Sequence, residues 1–137
     1  LTTILISKNG RVVLSPLDPK QAKQYLLTLI EAYVQGLCKP LPIAPKTSLA
    51  WLMNKGEQFC GPLDQYTGAA LTNTQKIYEG EMYSIGEVVN NPYLQRIYPT
   101  FEALWSQGEF TCWSQRLLSP LLDHIGEQVN KRKGNGA

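Results

Sequence analysis

The stretch Thr2-Thr3-Ile4-Leu5-Ile6-Ser7-Lys8-Asn9-Gly10-Arg11-Val12-Val13-Leu14, followed by Ser15-Pro16-Leu17-Asp18-Pro19, decides the fold class. A β-branched run, an Asn-Gly turn signal and a second apolar run predict a β-hairpin over the first fourteen residues. Two strands alone are marginal in water, so this hairpin needs a further strand or a packing face, and a segment upstream of Leu1 is one source for it. The first residue is Leu1 and a strand follows at once, so the chain reads as a piece of a longer polypeptide. Asp18-Pro19 then opens a helix, with Asp as the cap and Pro at the first helical position. Ala22, Tyr25, Leu26, Leu29, Ile30 and Tyr33 recur at the helical period, and Gly36 marks the expected stop.

Further along, Pro40, Pro42 and Pro45 predict an extended connector over Lys39–Pro45, because each proline restrains itself and its predecessor. A second helix is expected over Thr47–Lys55, a loop over Gly56–Gly68, a weaker helix over Leu71–Glu79 with Thr72 and Gln75 at capping-box spacing, and a loop over Gly80–Pro92. The last third reads as helical. Tyr93 to Tyr98 and Phe101 to Trp105 are short pieces, Ser106 and Glu109 are spaced as a capping box, and Phe110, Trp113, Leu117, Leu121, Leu122, Ile125 and Val129 form one long stripe kinked at Pro120. The expected fold is therefore α+β and mainly helical: an N-terminal hairpin followed by four to five helices. Residues 1–130 are expected to be a single carboxy-terminal domain fragment, and 131–137 a flexible basic tail.

With 137 residues, 43% of them apolar, and a net charge of +2, the chain can bury one core and is not disordered. The richest apolar run, Tyr25–Val34, is interrupted by Thr28 and Glu31 and is too short to span a bilayer, and no secretory leader is visible. Charge is uneven: residues 1–56 carry seven Lys or Arg against two acids, and residues 57–130 carry three against nine. Only 18% of residues are charged, below the ~25% of a typical soluble domain, which fits a module partly covered by neighbours. Cys38, Cys60 and Cys112 are an odd number at wide spacing, so no disulfide framework is expected and a reducing compartment, the cytoplasm, is.

Catalytic motifs are sparse. His124 is the single histidine, no phosphate-cradling glycine motif is present, and Glu79 and Glu81 read as solvated carboxylates and not metal ligands. Asp18-Pro19-Lys20 is the one acid-x-Lys triplet, but a metal-dependent nuclease needs it on an extended strand, and Pro at a helix start points to capping. No cofactor and no metal are expected. Lys8, Arg11, Lys20 and Lys23 are candidate contacts to a DNA backbone, which needs only cations along a face. Trp51, Phe101, Trp105 and Trp113 fall on helical stripes and are expected in the core, not as base-stacking platforms.

Six segments in order resemble the carboxy-terminal region of the RecC family, the gamma subunit of the bacterial exodeoxyribonuclease V (RecBCD) complex. They are Pro16-Leu17-Asp18-Pro19 leading to Ala22, Tyr25 and Leu26; Gly36-Leu37-Cys38-Lys39-Pro40-Leu41-Pro42; Pro45-Lys46-Thr47-Ser48-Leu49-Ala50-Trp51-Leu52; Pro92-Tyr93-Leu94 with Arg96; Phe110; and Arg116-Leu117 with Pro120-Leu121. The resemblance runs from about residue 4 to 125 and leaves out the acidic stretch from Gly80 to Glu87. It implies part of a degenerate restriction-endonuclease-like domain without catalytic residues, in a subunit that holds the motor subunits together and helps process DNA ends. It further implies companion subunits as partners, with DNA in the context of the full complex and no membrane. The rigid Leu41-Pro42-Ile43 connector is the candidate subunit contact. Two rivals stand beside this reading: an active Mg-dependent nuclease domain using Asp18 and Lys20, and a stand-alone DNA-binding module.

Overall fold

The computed structural model describes residues 2–8, 10–55 and 60–130 of the chain. The architecture is α+β and mainly helical. β1 (Thr3–Ser7) and β2 (Gly10–Leu14) form the expected antiparallel hairpin, in register from Thr3 opposite Leu14 to Ser7 opposite Gly10. The hairpin finds its third strand within the chain. β5 (Ile125–Asn130) pairs antiparallel with β2, giving the sheet order β1-β2-β5. This corrects the expected long helical stripe, which ends before Ile125. A spacing of four residues returns to the same side of a strand as of a helix, so Ile125 and Val129 fit both periods. The tail from 131 to 137 lies outside the described residues, as does part of the loop after Lys55.

α1 (Pro19–Cys38) starts as expected, with the Asp18 carboxylate accepting the Lys20 N–H at 3.1 Å. It runs two residues past Gly36. Its stop is set by Pro40, which drives Lys39 into extended backbone (φ −149°, ψ 148°). α2 (Pro45–Lys55) begins at Pro45 itself. Its first turn is capped from far away: the Glu87 carboxylate accepts the Lys46 N–H at 3.0 Å and the Thr47 N–H and hydroxyl at 2.7 Å each. α3 (Ala69–Glu79) starts directly after Gly68, and Thr72 donates back to the Gly68 carbonyl, so the Thr72–Gln75 capping box does not form.

The expected loop after α3 contains a second hairpin, β3 (Gly80–Glu81) with β4 (Ser84–Ile85). Its base leaves no room for a side chain, since a Cβ on Gly86 would lie 2.4 Å from the Tyr78 carbonyl oxygen. Two short helices follow, α4 (Pro92–Ile97) capped by Asn91 and α5 (Phe101–Trp105) capped by Thr100. Ser106 and Gln107 then take left-handed backbone, and α6 (Glu109–Asp123) starts after Gly108. The Ser106–Glu109 capping box is therefore absent, and Ser106 donates to the Ala103 carbonyl instead.

The core is aromatic and lies between residues 44 and 110. Trp51, Tyr66 and Trp105 meet edge-on at 5.0–5.2 Å between ring centres, and Phe101 and Phe110 extend the cluster from Trp105. Trp51, Phe101, Trp105 and Trp113 are all buried, as expected. Tyr78 donates its hydroxyl to the Tyr98 carbonyl at 2.6 Å, and burial beside Glu87 and Glu79 holds its phenol protonated far above the usual range. Ser114 and Ser48 bond at 2.8 Å in the buried seam between α6 and α2. One expectation about cysteine is corrected. Cys60 and Cys112 form a disulfide, with Cα atoms 5.2 Å apart. The cause is a close backbone approach: the Gly61 carbonyl accepts the Trp105 indole N–H at 2.9 Å and lies where a Cβ on Gly108 would sit.

The Glu87 cap carries two backbone donors and a hydroxyl, so Glu87→Ala should lower unfolding stability by about 1.5–3 kcal/mol in urea titrations. Glu87→Gln, which keeps a neutral acceptor, should lose less.

Candidate interaction surface

None of the acids singled out in the sequence converge. Asp18 is engaged as the α1 cap. The Glu79 carboxylate accepts the Phe101 N–H at 2.8 Å and a Gln75 amide hydrogen at 2.9 Å, so it tethers the start of α5 to the end of α3. Glu81 turns to Lys76 at 2.6 Å. Among the described residues no three of His, Cys, Asp and Glu gather where an ion could sit. His124 caps α6 and shares a 2.9 Å hydrogen bond between its Nδ1 and the Ser15 hydroxyl, tying the end of β2 to the end of α6. No sequence signal marks this pair, because 109 residues separate its members.

The candidate DNA contacts fall into two pairs. Lys8 and Arg11 flank the closed end of the β1–β2 hairpin, whereas Lys20 and Lys23 stand one turn apart at the start of α1, which leaves from the open end. In the connector, Pro42 is fully buried and Leu41 and Ile43 are half-buried, with Leu41 lying over Gly36 of α1.

α1 packs on α6 along one side only. Its seam against α6 is marked by three pairs in antiparallel order: Tyr25 edge-on to His124, Glu31 with Arg116, and Lys39 with Glu109 at 2.8 Å. Tyr25, Thr28, Ala32 and Gln35 are the residues this packing covers, and of these only Ala32 is fully buried. At roughly 100° per residue, Leu26, Ile30, Tyr33 and Leu37 fall on the opposite side of the helix. Leu26 is 57% exposed, Tyr33 68% and Leu37 70%. Leu26, Ile30, Tyr33 and Leu37 thus face outward, while Tyr25 of the same periodic set faces α6.

Magnitudes show how unusual this is. Half-exposed ion pairs such as Glu31–Arg116 and Lys39–Glu109 contribute about 0–1 kcal/mol each. Covering the outward stripe, at about 1 kcal/mol for each half-exposed large side chain, would contribute several times more. β1 shows the same pattern, with Ile4, Leu5 and Ile6 exposed on an unpaired sheet edge. A cavity of about 370 Å³ lies between these elements, lined by Leu14, Leu17, Tyr25, Pro120, Leu121 and the Ser15–His124 pair. Its Tyr25 wall belongs to the side of α1 that faces α6.

Comparison with known proteins points to the same half of the chain. Residues 2–56, which comprise the hairpin, α1 and α2, match a family described as the RecC C-terminal domain. Over an alignment of 126 positions that covers 86% of its length, the chain is 32% identical to the RecBCD enzyme subunit RecC of Escherichia coli (strain K12). The chain spans about a tenth of that relative, 11% of its length. Together the two matches relate most of this chain to the carboxy-terminal region of RecC.

The geometry separates an outward from an inward face of α1. Ile30→Gln should leave the unfolding free energy of the isolated chain within about 0.5 kcal/mol, whereas Ala32→Gln should cost about 1–3 kcal/mol by overpacking the seam with α6. Urea titration followed by tryptophan fluorescence reads both.

Proposed function

We propose that this chain, similar to RecC over most of its length, is a non-catalytic scaffold portion of a RecC-type subunit. In this reading the subunit belongs to an ATP-dependent helicase-nuclease that processes double-strand DNA ends for recombinational repair. The observation that carries the reading is the unpartnered apolar surface of β1 and α1, on the same elements that match the RecC C-terminal domain. Such a surface does work by being covered. The half-exposed Leu41 and Ile43 extend it past the end of α1 toward companion subunits, with Pro42 buried beneath them as a rigid support.

The arrangement at Asp18 favours this reading over an active nuclease. Its carboxylate is spent on a backbone N–H, and Lys20 sits in the first turn of a helix instead of on a strand. Phosphodiester hydrolysis by two-carboxylate chemistry needs converging acids that hold an ion, and Asp18, Glu79 and Glu81 each serve a helix end or a lysine. The degenerate nuclease-like ancestry implied by the resemblance belongs to this proposal. DNA is contacted in the assembled complex through the backbone alone, by Lys8, Arg11, Lys20 and Lys23.

Two measurements test the proposal. Linear duplex DNA incubated with the purified chain and magnesium should stay intact, and Asp18→Asn, which preserves the helix cap, should leave the nuclease rate of a RecC-type assembly unchanged. Cleavage that Asp18→Asn abolishes would overturn the scaffold reading. Replacing Lys8, Arg11, Lys20 and Lys23 by Gln should weaken DNA binding by the assembly equally for all sequences. It should also flatten the slope of log K against log salt by about 0.9 for each phosphate no longer neutralised.

A further inference from the structure

We infer that Cys60 and Cys112 form a reversible redox latch, a disulfide that small thiols and disulfides of the glutathione class open and close on the folded protein. The inference is independent of the scaffold reading above and concerns a different part of the molecule.

The first observation is that contacts without sulfur bring the pair together. Gly61, next to Cys60, is buried, and its carbonyl accepts the Trp105 indole N–H at 2.9 Å. Gly108, one turn before Cys112, lies so close to the Gly61 backbone that a Cβ there would meet the carbonyl oxygen at 2.5 Å. The Thr111 hydroxyl donates to the Gly108 carbonyl at 2.9 Å and fixes the start of α6. Just downstream of Gly61, Leu63 packs on the aromatic cluster and Tyr66 meets Trp105 edge-on. These contacts hold the Cys60 and Cys112 Cα atoms 5.2 Å apart, within the range a disulfide spans. They remain when the bond is cut, so the two thiols stay within reach and can close again.

The second observation is access. Cys60 is exposed and Cys112 half-buried, so an incoming small thiolate meets the Cys60 sulfur. As it bonds to that sulfur the disulfide breaks, and Cys112 leaves as a thiolate in the first turn of α6, where the helix dipole favours negative charge. A second small thiolate then attacks the small-molecule sulfur of the mixed disulfide and frees Cys60. The protein disulfide gains two electrons and, through solvent, two protons; two small thiols lose them and depart as one small disulfide. Excess small disulfide drives the same steps backwards. Exposed disulfides are the labile, regulatory ones.

The third observation is what the bond encloses. It joins residues 52 positions apart, and the loop it closes contains α3, the β3–β4 hairpin, α4 and α5, with Tyr66, Tyr78, Phe101 and Trp105 of the core. Closing a loop of that size restricts the unfolded chain and raises the folded-to-unfolded ratio by roughly a hundredfold. The latch thereby couples the firmness of the aromatic core to the surrounding balance of thiol and disulfide.

Differential alkylation tests this on a RecC-type subunit containing this chain, equilibrated at a series of reduced-to-oxidised glutathione ratios, with each cysteine read by peptide mass spectrometry. Cys60 and Cys112 should pass from blocked to alkylated together, on one curve that is the same from the oxidised and the reduced side. Cys38→Ser, at the free cysteine, should leave that curve in place, and Cys60→Ser should leave Cys112 alkylated at every ratio. Separate curves for the two cysteines, or a pair blocked or alkylated at all ratios, would overturn the inference. Hydrogen exchange on the same samples reads the latch itself. Reduction should speed exchange of the 61–66 amides about tenfold or more while the α2 amides stay protected, and Cys60→Ser/Cys112→Ser should show the faster rate in both buffers. Equal exchange of the 61–66 amides in both buffers would refute the latch. So would loss of α2 protection on reduction, because the bond would then be a staple the fold requires.

Discussion

The constraint on which the rest of this structure depends is a short, tightly turned segment bearing a carboxylate at each end. Glu79 and Glu87 flank the β3–β4 hairpin, whose glycines bring its ends together so closely that neither Gly80 nor Gly86 has space for a Cβ. Glu79 holds the first N–H of α5, and Glu87 holds the first turn of α2. A helix N-terminus attracts a carboxylate both through its orphan donors and through its dipole. One rigid turn therefore fixes where two helices begin, and the tryptophans they carry, Trp105 and Trp51, meet edge-on between them. α6 packs on that cluster through Phe110 and through the buried Ser114–Ser48 bond.

Everything N-terminal to this core is attached more loosely. α1 is fastened to α6 by ion pairs and an edge-on ring contact, and the β1–β2 hairpin is held by β5 and by Ser15 on His124. The buried aromatic cluster includes no residue from before Ala44. The molecule thus pairs a buried aromatic core with an outer layer that leaves much of its apolar surface exposed. Its uncharged apolar area lies on a helix and a sheet edge, and the proposed scaffold role rests on that surface.

How much of this was legible in the sequence follows from the range of each signal. The β1–β2 hairpin, the Asp18 cap and the break between α4 and α5 rest on residues a few positions apart, and each was found. The burial of Trp51, Trp105 and Trp113 was legible too, because helical stripes of large aromatics are seldom left bare. The third strand was missed because Ile125 and Val129 fit a helical stripe as well as a strand. The Glu87 cap, the Ser15–His124 bond and the Cys60–Cys112 disulfide join residues 40 or more positions apart, and local patterns carry no trace of them. The same limit explains α1. A stripe of Leu26, Ile30, Tyr33 and Leu37 tells which side of a helix is apolar, and says nothing about what covers that side.

The account's central claim is that this chain supplies a surface to be buried and not a reacting centre. An electron cryomicroscopy structure of an intact RecC-type complex containing this chain tests it most directly. The account predicts that Leu26, Ile30, Tyr33 and Leu37 are covered there by apolar residues of a neighbour. A helix face left open to solvent, or acidic side chains of this chain gathered around a metal ion on DNA, would contradict it.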